Sequence, residues 1–197
     1  MNRIIASSIA AGLLAVSAQA AIIDFYLTGT AGDGLLSGNE PQPLAFPTNG
    51  SGGEINGTTT GFGIFYDDVS NQLTVNVGWG SGNGFNDLSS NVVDQHIHGP
   101  VASNFGNGFT ETTGVRFQLV RSSASPSSGT IVDNVVTLTA ADETALFNGR
   151  FYVNVHTANN GGGEARGFLV QVPEPSAGLL AMLGALGMVW RRKKRVA

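Results

Sequence analysis

The chain has 197 residues, a formal net charge of −4 and no cysteine, so no disulfide stabilises it. Six of its ten basic residues lie at the two ends, which leaves residues 21–172 with four arginines, no lysine, thirteen acids and a charge of −9. Nucleic-acid binding requires positive charge that displaces counterions from phosphates, so this composition argues against DNA or RNA as a partner.

The first 20 residues predict a secretory signal peptide. Arg3 supplies a charged start, residues 4–16 are mostly apolar, and small residues precede a cleavage site after Ala20. The alternative, an N-terminal membrane helix, requires a longer apolar segment. We therefore expect signal peptidase as a partner and a mature chain that begins at Ala21.

The middle of the chain predicts one all-β domain over residues 21–172. Short apolar runs are separated by clusters of Gly, Asn and Ser, and several runs alternate between apolar and polar residues. Such alternation indicates antiparallel strands with one buried and one solvated face. The expected architecture is an antiparallel Greek-key β-sandwich or flattened barrel. Strands are predicted over residues 22–27, 62–66, 73–79, 115–120, 131–138, 151–156 and 167–172, a helix over 139–147, and loops over 49–60, 80–86 and 122–130.

The three histidines form the main candidate site. His96 and His98 are two residues apart, so a β-strand places them on one face, with Asp94 behind them. His156 ends another predicted strand, on the face opposite its apolar residues. If the two strands are neighbours, three neutral imidazoles converge on the outer face of the sheet, which suits zinc or copper. Asp94 or Glu164 is a candidate for a fourth ligand or for an acceptor that orients a ligand.

The histidines also have a purely structural interpretation. Each ring could hydrogen-bond to a nearby turn, such as Gly99-Pro100, or to the loop over residues 158–163. No Gly-x-Ser-x-Gly motif occurs, and the glycine-rich stretches precede no helix, so no catalytic residue or phosphate-binding loop is assigned. Whether the chain is an enzyme stays open, and a non-enzymatic role is favoured.

Glu164 and Arg166 form a second charged pair, two residues apart on a predicted strand. They could clamp a substrate. The favoured interpretation is structural, with Arg166 in an ion pair with Glu40 or Asp94.

The C-terminal residues 173–197 predict a sorting segment. Pro173-Glu174-Pro175 leads into an apolar stretch over residues 177–190, and five cations follow. Positive charge stays on the cytoplasmic side, so the preceding domain lies outside. The apolar stretch is short for a stable span, which favours a weak, transient anchor. The segment resembles the PEP-CTERM sorting signal, which implies cleavage by an exosortase and transient anchoring in the inner membrane of a Gram-negative bacterium.

The mature domain resembles the CHRD domain, which takes its name from chordin and occurs in secreted microbial proteins. The resemblance rests on residues 96–101 (HIHGPV), 149–157 (GRFYVNVHT) and 163–167 (GEARG), with 36–43 (LSGNEPQP) upstream. It covers roughly residues 22–171 and implies an all-β fold and an extracellular setting, without an established activity. Ala165 replaces the larger aliphatic residue usual in the family.

Two functions follow from these observations. The first is an exported surface or biofilm-matrix protein that is structural or binds matrix polysaccharide or surface proteins. The second is a His-ligated copper or zinc protein. The histidine pattern is similar to part of the copper site of Cu/Zn superoxide dismutases, which implies superoxide-dismutase-like redox activity if the ion is copper.

Overall fold

The computed structural model describes residues 21–124 and 127–173. The predicted signal peptide and the C-terminal segment beyond Pro173 lie outside the described residues. Within the described part, no helix has the length and apolar character needed to cross a membrane.

The described residues form a single sheet of eleven strands, all paired antiparallel, with one α-helix. Neighbouring strands follow the order β1-β4-β5-β3-β2-β11-β10-β6-β7; β1 also pairs with β11, and β9 pairs with β5 and β8. The all-β antiparallel prediction is therefore confirmed. The strands are β1 Ile22–Thr28, β2 Leu35–Leu36, β3 Ser51–Glu54, β4 Ile64–Asp67, β5 Gln72–Trp79, β6 Val92–His98, β7 Val115–Gln118, β8 Ser123–Ala124, β9 Gly129–Thr137, β10 Tyr152–Thr157 and β11 Ala165–Gln171, and the helix is α1 Ala140–Phe147.

Strand β3 corrects the predicted loop over residues 49–60. Gly52 and Gly53 are buried and pair with β5, although their stretch is polar and rich in glycine. A Cβ on Gly52 would lie 2.4 Å from the carbonyl oxygen of Gly78. Glycine is therefore required by the close approach of two backbones, which composition alone does not distinguish from a loop. The predicted loop over 122–130 likewise contains β8 and the start of β9.

The interior of the sheet is filled by the apolar faces of its strands. The buried apolar side chains include Leu73, Val75, Val77, Leu119, Phe151, Val153 and Val155, and Phe117 is partly buried against them. The largest fully buried apolar side chains include Trp79, Tyr66 and Phe151.

The outer face of β10 and of the adjoining parts of β6 and β11 is also buried, which corrects the prediction of a solvated face. All six residues of β10 are buried. Tyr152 and Phe168 point away from the main core and form a second cluster with Val101, against which Phe109 packs. The connection between β6 and β7 thus shields two large aromatic rings from water, and this burial stabilises the fold.

Helix α1 begins as the sequence predicts. Thr139 is the N-cap, and its side chain and that of Asp142 form a reciprocal capping box. Asp142 also accepts two hydrogen bonds of 2.7 Å from Arg116, which lies on β7. The hydrogen bonds from Arg116 lower the pKa of Asp142 to about 2, and the capping contacts act in the same direction.

Replacing Asp142 by Asn is expected to lower the free energy of unfolding at pH 7 by about 1 kcal/mol, because the charged cap and the ion pair are lost. The carboxylate has a lower pKa in the folded state than in the unfolded state. Its stabilising contribution is therefore complete above its ordinary pKa near 3.8 and is lost as the pH falls towards 2. Urea denaturation from pH 2.5 to 7 measures this, and an unchanged acid slope in Asp142→Asn would contradict it.

Candidate metal centre

The strand register brings the three histidines together. Strands β6 and β10 are neighbours, and in their register Asn154 lies opposite His96, and Tyr152 opposite His98. His156 follows on the same face of β10, because side chains on a strand alternate. Each histidine is only 8% exposed.

The three rings surround a common point. The ring centroids are 5.4 Å apart for His96 and His98, 4.9 Å for His96 and His156, and 5.4 Å for His98 and His156. One ring nitrogen of each histidine lies within 4.8 Å of those of the other two. The Nε2 atoms of His98 and His156 are 3.3 Å apart.

Backbone carbonyls fix the orientation of two rings. Nδ1 of His98 lies 2.9 Å from the carbonyl oxygen of Thr113, and Nδ1 of His156 lies 3.0 Å from that of Gly161. A carbonyl oxygen only accepts hydrogen bonds, so Nδ1 carries the proton in both neutral rings. Both Nε2 atoms therefore present lone pairs towards each other.

A carboxylate fixes the third ring. Oδ2 of Asp94 lies 3.0 Å from Nε2 of His96, which therefore donates. The other oxygen of Asp94 accepts a 2.6 Å hydrogen bond from Gln118. Asp94 thus orients the His96 ring.

This arrangement leaves a buried nitrogen without a partner. Nδ1 of His96 has no hydrogen bond to any described residue and is shielded from water. A buried polar atom without a partner is costly. The ring nitrogens that do not face an acceptor are therefore Nε2 of His98, Nε2 of His156 and Nδ1 of His96.

Burial favours the neutral form of two of these rings. Burial lowers the pKa of His98 and of His156 below the ordinary value of 6.5, and the neighbouring imidazoles lower both further. Their hydrogen bonds to Thr113 and Gly161 oppose the shift without reversing it. Neutral imidazole is the form that binds a metal.

Glu164, the other candidate carboxylate, is engaged elsewhere. Its oxygens accept hydrogen bonds from the Ser89 amide and hydroxyl, the Thr157 hydroxyl at 2.5 Å and the Asn160 amide at 3.0 Å. Burial alone would raise its pKa, but these hydrogen bonds outweigh it and lower the pKa. Glu164 therefore anchors the loop over residues 158–163, whose Gly161 holds His156.

The structure agrees with the structural interpretation of Arg166, in which it pairs with Glu40. Arg166 is fully buried, and its Nε lies 4.0 Å from Oε2 of Glu40. The guanidinium also donates to the carbonyls of Asn39, Glu111 and Phe109. Its central carbon lies 4.7 Å from the centroid of the Tyr152 ring, and that ring stacks on His98 at an interplanar angle of 8°. Arg166 thus packs on the Tyr152 ring, which in turn stacks on His98 of the histidine cluster.

The sequence does not single out Thr113, or Gly161 within the predicted 158–163 loop, because both residues act through backbone carbonyls that any residue supplies. The expected pairing of a histidine with the 158–163 loop holds for His156. His98 instead bonds to the Thr113 carbonyl, not to the Gly99-Pro100 turn.

Comparison with known families identifies both parts of the chain. A family model described as the CHRD domain matches residues 36–169, and one described as the PEP-CTERM protein-sorting motif matches residues 171–193. Comparisons with curated proteins and with solved structures found no match. The sorting motif indicates a secreted protein that is targeted to the cell surface and processed by exosortase-type machinery.

Proposed function

Because the chain belongs to the CHRD domain family and ends in a PEP-CTERM motif, we propose that it is a surface or matrix binding protein whose domain holds a transition-metal ion at His96, His98 and His156. The one observation that carries the metal proposal is that three buried histidines each bring a ring nitrogen within 4.8 Å of the other two, while Nδ1 of His96 is buried without a partner among the described residues.

The geometry of the cluster suits a metal ion. Two nitrogens bound to a tetrahedral zinc at 2.0–2.1 Å are about 3.3–3.4 Å apart. The Nε2 atoms of His98 and His156 have a separation of 3.3 Å. The other ring nitrogen of each histidine donates a hydrogen bond to an oxygen atom, as is usual for metal-bound histidines. Zinc and copper both accept imidazole nitrogen, so the donor set suits either ion.

The setting of the domain supports a role outside the cell. In the proposed pathway, signal peptidase cleaves after Ala20, the C-terminal segment anchors the chain in the inner membrane of a Gram-negative bacterium, and an exosortase releases it. The domain would then contact matrix polysaccharide or surface proteins. Its charge of −9 favours neutral or cationic partners.

The processing proposal predicts a defined mature mass. Protein recovered from the surface or medium of its native host is expected to start at Ala21 and to lack everything after the Pro173-Glu174-Pro175 motif. Intact-mass spectrometry measures both ends. A mature species that retains the basic residues 191–195 would contradict the proposal for the C-terminus.

If the site binds a metal, we expect a fixed amount of metal per chain and a melting temperature that depends on that metal. Protein purified without a metal-binding tag is expected to contain about one zinc or copper per chain by elemental analysis. EDTA should lower its melting temperature, since an ion present at a thousand times its Kd stabilises the folded state by about 4 kcal/mol. The effect should disappear below about pH 6, where imidazoles protonate.

Variants separate ligands from the residue that orients one. His98→Ala and His156→Ala are expected to abolish stoichiometric binding, whereas Asp94→Asn should weaken it only about 10- to 100-fold. Equal melting temperatures with and without EDTA, together with no bound metal, would leave the histidines as structural hydrogen-bonding residues.

The same samples test the redox alternative. The cluster offers three nitrogen ligands, and a metal with three protein ligands keeps a position for water or substrate. Turnover of superoxide by the copper-loaded protein, lost in His98→Ala, would favour an enzyme. Bound metal without turnover favours a structural or binding role.

A further inference from the structure

The residue that precedes β1 is tied to the turn between β4 and β5. The backbone nitrogen of Ala21 donates a hydrogen bond of 2.9 Å to Oδ1 of Asp68. The backbone nitrogen of Asp68 in turn donates one of 3.3 Å to the carbonyl oxygen of Ala21. The pairing of Ile22 with Asp67 brings these distant segments together. A single residue of the turn therefore binds both backbone groups of Ala21.

A second carboxylate fixes the turn that carries Asp68. Oδ1 of Asp67 accepts hydrogen bonds from the backbone nitrogens of Val69 at 2.9 Å and Ser70 at 3.3 Å, and these bonds lower the pKa of Asp67. Aspartate side chains commonly stabilise tight turns by binding backbone nitrogens further along the chain. Asp68 is exposed, and its Oδ1 is the atom that faces Ala21.

Cleavage after Ala20 changes the chemistry of this contact. In the precursor, the nitrogen of Ala21 belongs to a neutral amide. In a chain that starts at Ala21, the same nitrogen is an α-ammonium group, which is charged at neutral pH because its ordinary pKa is about 7.7–8.0. An ammonium nitrogen 2.9 Å from a carboxylate oxygen forms a salt bridge with a charge-assisted hydrogen bond.

The surrounding charges favour the ammonium group. Residues 21–172 contain only four arginines and no lysine against thirteen acids, so the amino terminus adds a fifth cation. Asp67 lies opposite Ile22, and Asp24 is two residues further along β1. Strands β1 and β4 contain no basic residue, Tyr66 of β4 is buried in the core, and Arg166 of β11 lies opposite β2 instead. The charged side chains near the start of β1 are thus acidic.

We propose that the Asp68 carboxylate is a binding site for the amino terminus that signal peptidase creates at Ala21, so that removal of the signal peptide adds a salt bridge at the start of β1. This inference rests on the proposed cleavage after Ala20. Strand β1 pairs with β4 and β11, and the backbone nitrogen of Val172 donates to the carbonyl oxygen of Asp24. The salt bridge therefore stabilises the end of the sheet from which the C-terminal sorting segment leaves.

An NMR titration of the α-amino group tests this inference. The sample is the chain from Ala21 to Pro175, prepared from a fusion that is cleaved directly before Ala21, and the Ala21 methyl carbon signal reports the titration. We expect a pKa of about 8.5 or higher, above the ordinary range of about 7.7–8.0, because the carboxylate favours the charged form. A pKa within the ordinary range would overturn the inference.

Two variants assign the effect to Asp68. Asp68→Asn keeps a side-chain oxygen that accepts a hydrogen bond but loses the charge, and it should return the α-amino pKa to its ordinary range. Asp33 is also an exposed acid, in the connection between β1 and β2, so Asp33→Asn is the matched control and should leave the pKa raised. A pKa that stays raised in Asp68→Asn, or one that falls equally in both variants, contradicts the role given to Asp68.

Acetylation of the amino terminus separates charge from hydrogen bonding. Acetylated Ala21 keeps the amide N–H of the precursor but carries no charge. The free-amine chain should therefore melt about 1–3 °C above the acetylated chain at pH 7, and Asp68→Asn should remove this difference. The amino group has its higher pKa in the folded state, so the difference is complete below the unfolded pKa and is lost as the pH rises to about 10. Equal melting temperatures at pH 7 would sink the inference.

The first residue of the native chain is a separate measurement. A native chain that starts elsewhere would contradict both the proposed cleavage and the biological role of this contact. An ordinary α-amino pKa, together with a native chain that starts at Ala21, would overturn this inference alone.

Discussion

Arg166→Met is expected to lower the free energy of unfolding by roughly 3–5 kcal/mol, the range for breaking a buried ion pair from one side. Arg166 is fully buried, and its removal leaves the carbonyls of Asn39 and Glu111 without their donor. It also leaves Glu40 without the cation that lies 4.0 Å from it. Urea denaturation of the mature domain at pH 7 measures the change.

A matched control and a double variant make this prediction specific. Arg121 donates a side-chain hydrogen bond to the carbonyl of Val92, and Arg121→Met should cost no more than about 1 kcal/mol. Adding Glu40→Gln to Arg166→Met should recover part of the loss, because the carboxyl no longer needs a counter-charge. A loss of stability in Arg166→Met no larger than in Arg121→Met would contradict the supporting role of this arginine.

The effect should extend to the histidine cluster. Arg166 holds the carbonyls of Phe109 and Glu111, which lie in the connection that also carries Thr113. It also packs on Tyr152, on which His98 stacks. Arg166→Lys keeps the charge but not the planar fork, and is expected to retain only part of the stability and of the metal affinity.

The sequence predicts the long, apolar strands because their pattern depends on local spacing. Because side chains on a strand alternate between its faces, His96 and His98 share one face of β6, and His156 lies on the outer face of β10. The register of β6 and β10 then brings the three side chains close together. Helix α1 also follows from local chemistry, since Thr139 and Asp142 are three residues apart and cap each other.

What the sequence does not predict depends on contacts between distant segments. Strand β3 is not predicted, because its glycines give it the composition of a loop. The structure requires these glycines for the close approach of β3 to β5. The burial of the outer face depends on the chain between β6 and β7 folding over Tyr152 and Phe168. The role of Glu164 depends on Ser89, 75 residues away, whose amide and hydroxyl bind its carboxylate.

The second prediction with a large expected effect concerns Gly99, which directly follows His98. Gly99 has a φ of +147°, a conformation that residues with a side chain rarely adopt. A Cβ there would lie 1.9 Å from Cδ1 of Phe151 and 2.9 Å from the carbonyl oxygen of Arg150. Phe151 is fully buried, so its ring has little room to move.

Gly99→Ala is therefore expected to lower the free energy of unfolding by about 2–6 kcal/mol, from backbone strain and from overpacking of the core. Gly114→Ala, where a Cβ meets no atom within 4 Å, is the control and should change it by no more than about 0.5 kcal/mol. In a Phe151→Ala background the ring is gone, so Gly99→Ala should cost less than in the wild type. Because Gly99 directly follows His98, the displaced strand end should also weaken metal binding, measured by zinc titration. Equal stability of Gly99→Ala and Gly114→Ala, or a Gly99→Ala cost that Phe151→Ala does not reduce, would contradict this account of how the core sets the position of His98.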